Sequence, residues 1–181
     1  MMLENIYNLD SGNLIRYPES ENFDRTTCDQ ENIGIRIASF GTKHGGIILI
    51  GQKDLKQGGD VIGIEEEEFQ RTFSQAIDNV KPAPLTKSKI ILYKGKKLGL
   101  IEIRDVGELR PCAYKKNFYE RKGESNLPLQ PDEVRRYHIV YGGVNIENLP
   151  THANIKDLDD EELKKYSKML NKTEENILET I

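Results

Sequence analysis

The chain has 181 residues, of which 36% are hydrophobic and 31% are charged. This length suits one domain of ordinary size with extensions and leaves no room for a second large domain. No apolar run approaches the roughly 18 residues that a membrane helix needs, and the N-terminus lacks a basic region followed by an apolar one. We therefore expect a cytoplasmic protein with no membrane partner. Two cysteines without a C-x-x-C pairing indicate neither a disulfide scaffold nor a zinc ribbon.

The net charge of −4 is distributed unevenly along the chain. Residues 1–80 carry 7 Lys and Arg against 14 Asp and Glu, residues 81–141 carry 14 against 7, and residues 142–181 carry 5 against 9. A basic block between acidic flanks is typical of a nucleic-acid surface, and a solvated lysine-rich face produces the same counts. Charge alone leaves both interpretations open.

The first strong structural signal is a helix followed at once by a strand. Ile33, Ile37 and Phe40 recur at helical spacing, so one face of this predicted helix is apolar. Gly45-Gly46 supplies a turn, and residues 47–50 are a continuous β-branched and leucine run typical of a strand buried on both faces. The sequence predicts that this helix and strand pack against each other.

The middle of the chain predicts a second helix, two hairpins and a third helix. Residues 65–68 are all Glu, which the positive end of a helix dipole favours, and an apolar stripe follows them. Residues 89–93 and 98–103 flank a short glycine turn and predict a β-hairpin. Residues 110–121 predict another short hairpin, and Pro131 suits the first turn of a helix.

These elements predict an α+β fold with a mixed, mainly antiparallel sheet flanked by helices and a helical C-terminal extension. The predicted divisions are an N-terminal arm over residues 1–18, one folded domain over 19–141, and a linker with a helical tail over 142–181. The tail includes a D-x-x-E capping box at Asp159 followed by an apolar stripe. Such helices suit packing on the domain or pairing with a second copy, so a homodimer is one expected arrangement.

Six short motifs occur along the chain in a consistent order and spacing. They are Glu19-Ser20-Glu21-Asn22-Phe23-Asp24, Ala38-Ser39-Phe40-Gly41-Thr42-Lys43-His44-Gly45-Gly46, Gly51-Gln52-Lys53-Asp54, Val61-Ile62-Gly63-Ile64, Arg110-Pro111-Cys112-Ala113-Tyr114 and Tyr119-Glu120-Arg121-Lys122-Gly123-Glu124-Ser125. Together they resemble the Schlafen-type AlbA-like domain, also described as the divergent AAA-4 domain, over about residues 19–138. No G-x-x-x-x-G-K-[ST] phosphate loop is present, so ATP hydrolysis finds no support.

The resemblance implies nucleic-acid binding and, in some family members, cleavage of transfer or ribosomal RNA by two glutamates and an aspartate. Carried over by position, these are Glu19, Asp24 and Asp54, although the family's second glutamate is an aspartate here. If the site is catalytic, the three carboxylates would hold Mg²⁺ or Mn²⁺; otherwise no cofactor is expected. The alternative interpretation is that they are unrelated surface acids.

A second candidate site mixes basic and aromatic side chains on the predicted hairpins. Such mixtures contact phosphates by charge and bases by stacking. The expected nucleic-acid contacts are Lys94, Lys96, Lys97, Arg110, Lys115, Lys116, Arg121 and Lys122. Tyr119 is expected in the core. The alternative is a hairpin whose aromatic residues are all core and whose lysines only decorate its outside.

The leading hypothesis is a Schlafen-like domain that binds RNA or DNA and acts as a metal-dependent endoribonuclease on structured RNA such as tRNA. A non-catalytic DNA-binding transcriptional regulator is one alternative, and a basic module that binds an acidic protein is another. Convergence of Glu19, Asp24 and Asp54 on one point would favour metal chemistry, whereas dispersal of these side chains would argue against it.

Overall fold

The computed structural model describes residues 6–141 and Lys164. The chain divides into two units, Met1–Asn145 and Ile146–Ile181. The predicted linker and helical tail over residues 142–181 lie outside the described residues, apart from Lys164. The described residues contain no helix that is long and apolar enough to cross a membrane.

The described part of the first unit begins with alternating helices and strands, continues with six consecutive strands and ends with a helix. The helices are α1 (Ser11–Arg16), α2 (Gln30–Thr42), α3 (Glu66–Asp78) and α4 (Pro131–Val140). The strands are β1 (Phe23–Thr26), β2 (Gly46–Ile50), β3 (Val80–Lys81), β4 (Thr86–Tyr93), β5 (Lys96–Ile103), β6 (Ala113–Tyr114), β7 (Asn117–Lys122) and β8 (Ser125–Pro128). Short 3-10 helices cover Leu55–Gln57 and Gly107–Leu109.

The first sheet has the strand order β1-β2-β5-β4. β1 pairs with β2 in parallel, with Phe23 opposite Ile47, and the other pairs are antiparallel, with Ile48 opposite Ile101. β4 and β5 form the predicted hairpin, whose turn residues Lys94 and Gly95 have φ angles of 47° and 80°. Two positive φ angles are what a tight hairpin turn requires.

The side chains of β2 alternate between two hydrophobic cores. Ile48 and Ile50 pack in the core that also contains Ile37 of α2. Ile47 and Leu49 pack in a second core on the opposite face, with residues of α1 and β1. This arrangement confirms the prediction that the apolar run of β2 is buried on both faces, because successive side chains of a strand point to opposite sides.

The second sheet has the strand order β3-β6-β7-β8, and all its pairs are antiparallel. The α+β class with mainly antiparallel strands is therefore confirmed, with the strands divided between two sheets. α2 contacts strands of both sheets. Gly34 permits this packing, because a Cβ atom at this position would lie 2.1 Å from Cε2 of Tyr114 on β6.

Candidate acidic site and nucleic-acid interface

Asp24 on β1 is the centre of a buried polar network. Its Oδ2 accepts hydrogen bonds from Arg121 Nη1 at 2.7 Å and Asn126 Nδ2 at 2.9 Å, and Arg36 Nε lies 2.9 Å from the same oxygen. Its Oδ1 accepts a hydrogen bond from the backbone N–H of Arg25 at 2.8 Å. Both oxygens of this buried carboxylate are therefore engaged by the protein itself.

Arg121 was expected to contact nucleic acid, but its side chain is buried. Besides the ion pair with Asp24, its guanidinium donates to the backbone oxygens of Ser20 at 2.8 Å and Phe23 at 3.2 Å, and it lies 5.1 Å from the Phe40 ring centroid. Burial lowers the pKa of Arg121, and the charge of Asp24 opposes that shift. This arginine links β7 to β1 and is not available to a phosphate.

Glu19 lies beside this network and is paired with a different arginine. Its Oε1 is 3.2 Å from Arg25 Nε, and the Glu19 side chain is 10% exposed. Burial raises the pKa of Glu19, and the negative charges of Asp24 and Asp54 raise it further, against the opposing charges of Arg25 and Arg121. The charges of Asp24 and Asp54 are thus close enough to Glu19 to affect its pKa.

Asp54 has a local role at the exit from β2. It caps the 3-10 helix Leu55–Gln57, where its Oδ1 accepts a hydrogen bond from the backbone N–H of Lys56 at 2.8 Å. This is the usual behaviour of an aspartate at a helix N-terminus. Its side chain is half-buried, in contrast to that of Asp24.

Within residues 6–141, Glu19, Asp24 and Asp54 do not form a ready-made metal site. No group of three or more His, Cys, Asp or Glu side chains in the described part of the chain has a metal-binding arrangement. A cation at Asp24 would have to displace Arg121 and Arg36, and the buried guanidinium of Arg121 would then lack its counter-charge. The contacts of Asp24 therefore favour a structural role for this carboxylate.

The lysines of the β4–β5 hairpin lie near the N-terminus of α3. Lys97 Nζ is 2.9 Å from Glu66 Oε2, and Lys96 Nζ donates to the backbone oxygen of Val61 at 2.6 Å. Lys94 Nζ lies 5.4 Å from the centroid of the neighbouring Tyr93 ring. Two of these lysines are therefore occupied by contacts within the protein.

Lys115 and Lys116 lie at the other end of α3. The backbone N–H of Lys115 donates to the backbone oxygen of Asn79, which follows the last residue of the helix. Because an α-helix rises about 1.5 Å per residue, the thirteen residues of α3 separate its ends by roughly 20 Å. The two groups of lysines that the sequence suggested as one basic surface are thus two separate surfaces. Both Lys115 and Lys116 are exposed.

The side chains of β7 alternate between α2 and α4. Tyr119 packs against the core that contains α2 residues, as expected, and Arg121 extends to the same side. Phe118, Glu120 and Lys122 contact α4 through His138, Tyr137 and Glu133, respectively. These three contacts run in opposite directions along the strand and the helix, so α4 lies antiparallel to β7.

Glu120 is buried beneath α4 and binds two lysines and a tyrosine. Its Oε2 accepts a hydrogen bond from the Tyr137 hydroxyl at 2.8 Å and lies 3.1 Å from Lys43 Nζ, while Lys122 pairs with Oε1. Burial alone would raise the pKa of Glu120, but the hydrogen bonds from Lys122, Tyr137 and Lys43 outweigh burial and lower it. The carboxylate is therefore held in its charged form.

A cavity of about 310 Å³ lies between α4 and β7. Tyr137 and Tyr141 contribute aromatic walls, and their rings stack with a centroid distance of 5.6 Å. Arg110 lies 5.0 Å from the Tyr141 centroid and forms an ion pair with Asp105 at 3.0 Å. The sequence analysis missed this cavity, because the helix that begins at Pro131 was expected to end at about His138, before Tyr141.

Comparisons with known proteins agree with the resemblance drawn from the motifs. The family model described as Schlafen, AlbA_2 matches residues 19–130. Among solved structures, the DIP2311 protein from Corynebacterium diphtheriae is 18% identical with a TM-score of 0.51, and the match covers 87% of this chain and 36% of that one. At that identity the match shows a shared fold alone, and this chain spans about a third of the other.

A second solved structure is the N-terminal domain of a RecG-related protein from Nitrosomonas europaea. It is 20% identical with a TM-score of 0.39, and the match covers 52% of this chain and 69% of that one. This likeness is too weak to support an argument. No curated protein matches the chain.

Proposed function

Because the chain belongs to the Schlafen AlbA_2 family, we propose that it binds nucleic acid through α4 and the β6–β7 turn, a surface named here the α4 face. The α4 face is defined by Lys115, Lys116, Lys122, Arg135 and Arg136. Four of these side chains, all except Lys122, are exposed cations that form no ion pair with an acidic residue within residues 6–141. This observation carries the proposal.

Unpaired cations matter because the free energy of phosphate binding is most favourable where no ion pair within the protein has to be broken. Lys97, Lys122 and Arg110 are each engaged by a carboxylate. Each would exchange one ion pair for another on binding a phosphate, which gains little at an exposed site. Lys115, Lys116, Arg135 and Arg136 would instead release counterions from the nucleic acid, which makes the affinity salt-dependent.

The test is a salt titration with two matched double variants. Lys115→Gln/Lys116→Gln removes two unpaired charges from the β6–β7 turn, and Lys53→Gln/Lys97→Gln removes two lysines that are each paired with a carboxylate. Affinities for labelled RNA and DNA are measured by fluorescence anisotropy at several salt concentrations. We expect the first variant to bind more weakly and to reduce the slope of log K against log[salt] by about 1 to 2, and the second to resemble wild type.

Equal effects of both variants would indicate a generic charge effect and contradict the assignment of the α4 face. Absence of binding by the wild-type protein to either nucleic acid would overturn the proposed function and favour a basic module for an acidic protein partner. Binding to duplex DNA alone, without cleavage, would favour the DNA-binding transcriptional regulator.

A metal-dependent endoribonuclease acting on structured RNA such as tRNA is the second candidate. The effect of the Asp24 and Asp54 charges on the pKa of Glu19 favours it, and the arginine contacts of Asp24 oppose it. The test is incubation of the protein with total tRNA, with and without Mn²⁺ or Mg²⁺, beside a Glu19→Ala/Asp54→Ala variant. Metal-dependent cleavage by the wild type alone would establish the nuclease; intact tRNA in every lane would exclude it for this substrate.

A further inference from the structure

We propose that the cavity between α4 and β7 receives one unpaired nucleotide of the bound strand, so that the protein prefers nucleic acids with unpaired bases to a continuous duplex. This inference rests on the nucleic-acid binding proposed above and specifies the substrate class for the same face. The size of the cavity, the chemistry of its walls and the depth of its charged groups support it.

The cavity has the dimensions and walls of a site for one planar group. Its volume of about 310 Å³ lies at the lower end of the range for ligand pockets, roughly 300–1,000 Å³. Tyr137, Tyr141, Leu129 and Val140 form its apolar part. Aromatic and aliphatic surfaces of this kind bind a base that is unpaired and unstacked. A base pair within a duplex is too large to enter the cavity.

The charged groups of the cavity are arranged by depth. The Glu120 side chain is 4% exposed, those of Lys43 and Glu133 are each 32% exposed, Lys122 is 51% exposed, and Arg136 is exposed. The Glu120 carboxylate, which already binds Tyr137, Lys43 and Lys122, repels a phosphate from the inner end of the cavity. At the mouth, Lys122 is paired with Glu133, whereas Arg136 forms no ion pair within residues 6–141 and can attract a phosphate. The arrangement therefore suits a nucleotide whose base points inward and whose phosphate stays at the surface.

Further exposed cations lie on α4 and on the β6–β7 turn. Arg135 precedes Arg136 in the sequence of α4, and Lys115 and Lys116 form the turn before β7. A strand running along the α4 face could place its phosphates on these side chains while one base enters the cavity. A duplex would first have to unpair and unstack that base, which costs a few kcal/mol. Loops and single strands avoid this cost.

The experiment compares three labelled probes by fluorescence anisotropy at one salt concentration: an unstructured single strand, an abasic strand of equal length, and a duplex. The wild-type protein should bind the single strand about tenfold more tightly than the abasic strand, which corresponds to one stacked base. Val140→Trp should fill the cavity and remove this difference without weakening binding to the abasic strand. Val140 is 64% exposed, so the substitution leaves the core intact.

The matched control is Leu92→Trp, which places the same large side chain at a position 65% exposed on β4. It should retain the full preference for the strand with bases. Equal binding of the two single strands by the wild type, or an unchanged preference in Val140→Trp, would overturn the cavity proposal while leaving nucleic-acid binding intact. Failure to bind any probe, including the abasic strand, would instead overturn the proposed function itself.

Discussion

Arg121 Nη1 on β7 lies 2.7 Å from Asp24 Oδ2 on β1, and both side chains are buried. This ion pair joins the second sheet to the first. Arg36 from α2 and Asn126 from β8 bind the same carboxylate oxygen. The residue that aligns with a family carboxylate is thus the point at which three separate parts of the fold are tied together.

Removing the charge of Asp24 should therefore destabilise the fold. Asp24→Asn keeps the shape of the side chain but leaves the buried guanidinium of Arg121 without a counter-charge, which costs about 3–5 kcal/mol. Urea denaturation followed by circular dichroism measures the change. The control Asp60→Asn, at an exposed residue 3.7 Å from Lys53, should have the stability of wild type. An equally stable Asp24→Asn protein would contradict the structural role.

Much of the fold could be predicted because its patterns are local. The β2 run and the β4–β5 hairpin were both read from neighbouring residues, since apolar alternation and turn chemistry act over a few positions. The partners of Asp24 could not be read in this way. Arg121 and Asn126 follow it by 97 and 102 residues, and only the tertiary fold brings them together.

The direction of the Arg121 side chain could have been predicted from the sequence. Tyr119 was expected in the core, and residues two apart on a strand share a face. Arg121 therefore had to point inward with Tyr119, and Lys122 outward, as the structure shows. The separation of the two lysine groups could not be predicted from the sequence, because it depends on which end of α3 each hairpin contacts.

The stability contributed by Glu120 should depend on pH in a defined direction. Its pKa is lowered from the ordinary value of 4.5, so the folded state binds this proton less readily than the unfolded state. The contribution is therefore complete above pH 4.5 and is lost as the pH falls through the lower pKa of the folded protein. Glu120→Gln should cost about 2 kcal/mol at neutral pH. The difference from wild type should shrink below pH 4.5.

Urea unfolding of both proteins at several pH values between about 3 and 7 measures this difference, across the range in which a carboxylate titrates. Glu108→Gln is a suitable control, since Glu108 is exposed in the turn before Arg110. A difference that stays constant with pH would show that Glu120 contributes by packing and not by charge.

Gly34 should be intolerant of even the smallest side chain. Gly34→Ala would place a Cβ atom 2.1 Å from Cε2 of Tyr114, so α2 or β6 must move. Overpacking of this kind costs about 1–3 kcal/mol, which exceeds the gain in helix propensity of up to about 1 kcal/mol. Thermal unfolding should show a lower Tm. In a Tyr114→Leu background, where the ring is absent, the same substitution should be neutral or stabilising; destabilisation there would contradict the steric explanation.

The Cys112 thiol should be unreactive in the folded protein and should react only after the protein unfolds. Burial raises the pKa of its thiol to about 12, and its Sγ donates to the backbone oxygen of Pro82 at 3.3 Å. Thiolate is the reactive form, so a thiol with this pKa is scarcely ionised at pH 8. In a Cys28→Ser background, which leaves Cys112 as the single thiol of the chain, a disulfide reagent should give no fast reaction in buffer. It should titrate one thiol in guanidinium chloride. Rapid labelling of the native variant would show that the interface between α2 and the segment before β6 opens to solvent.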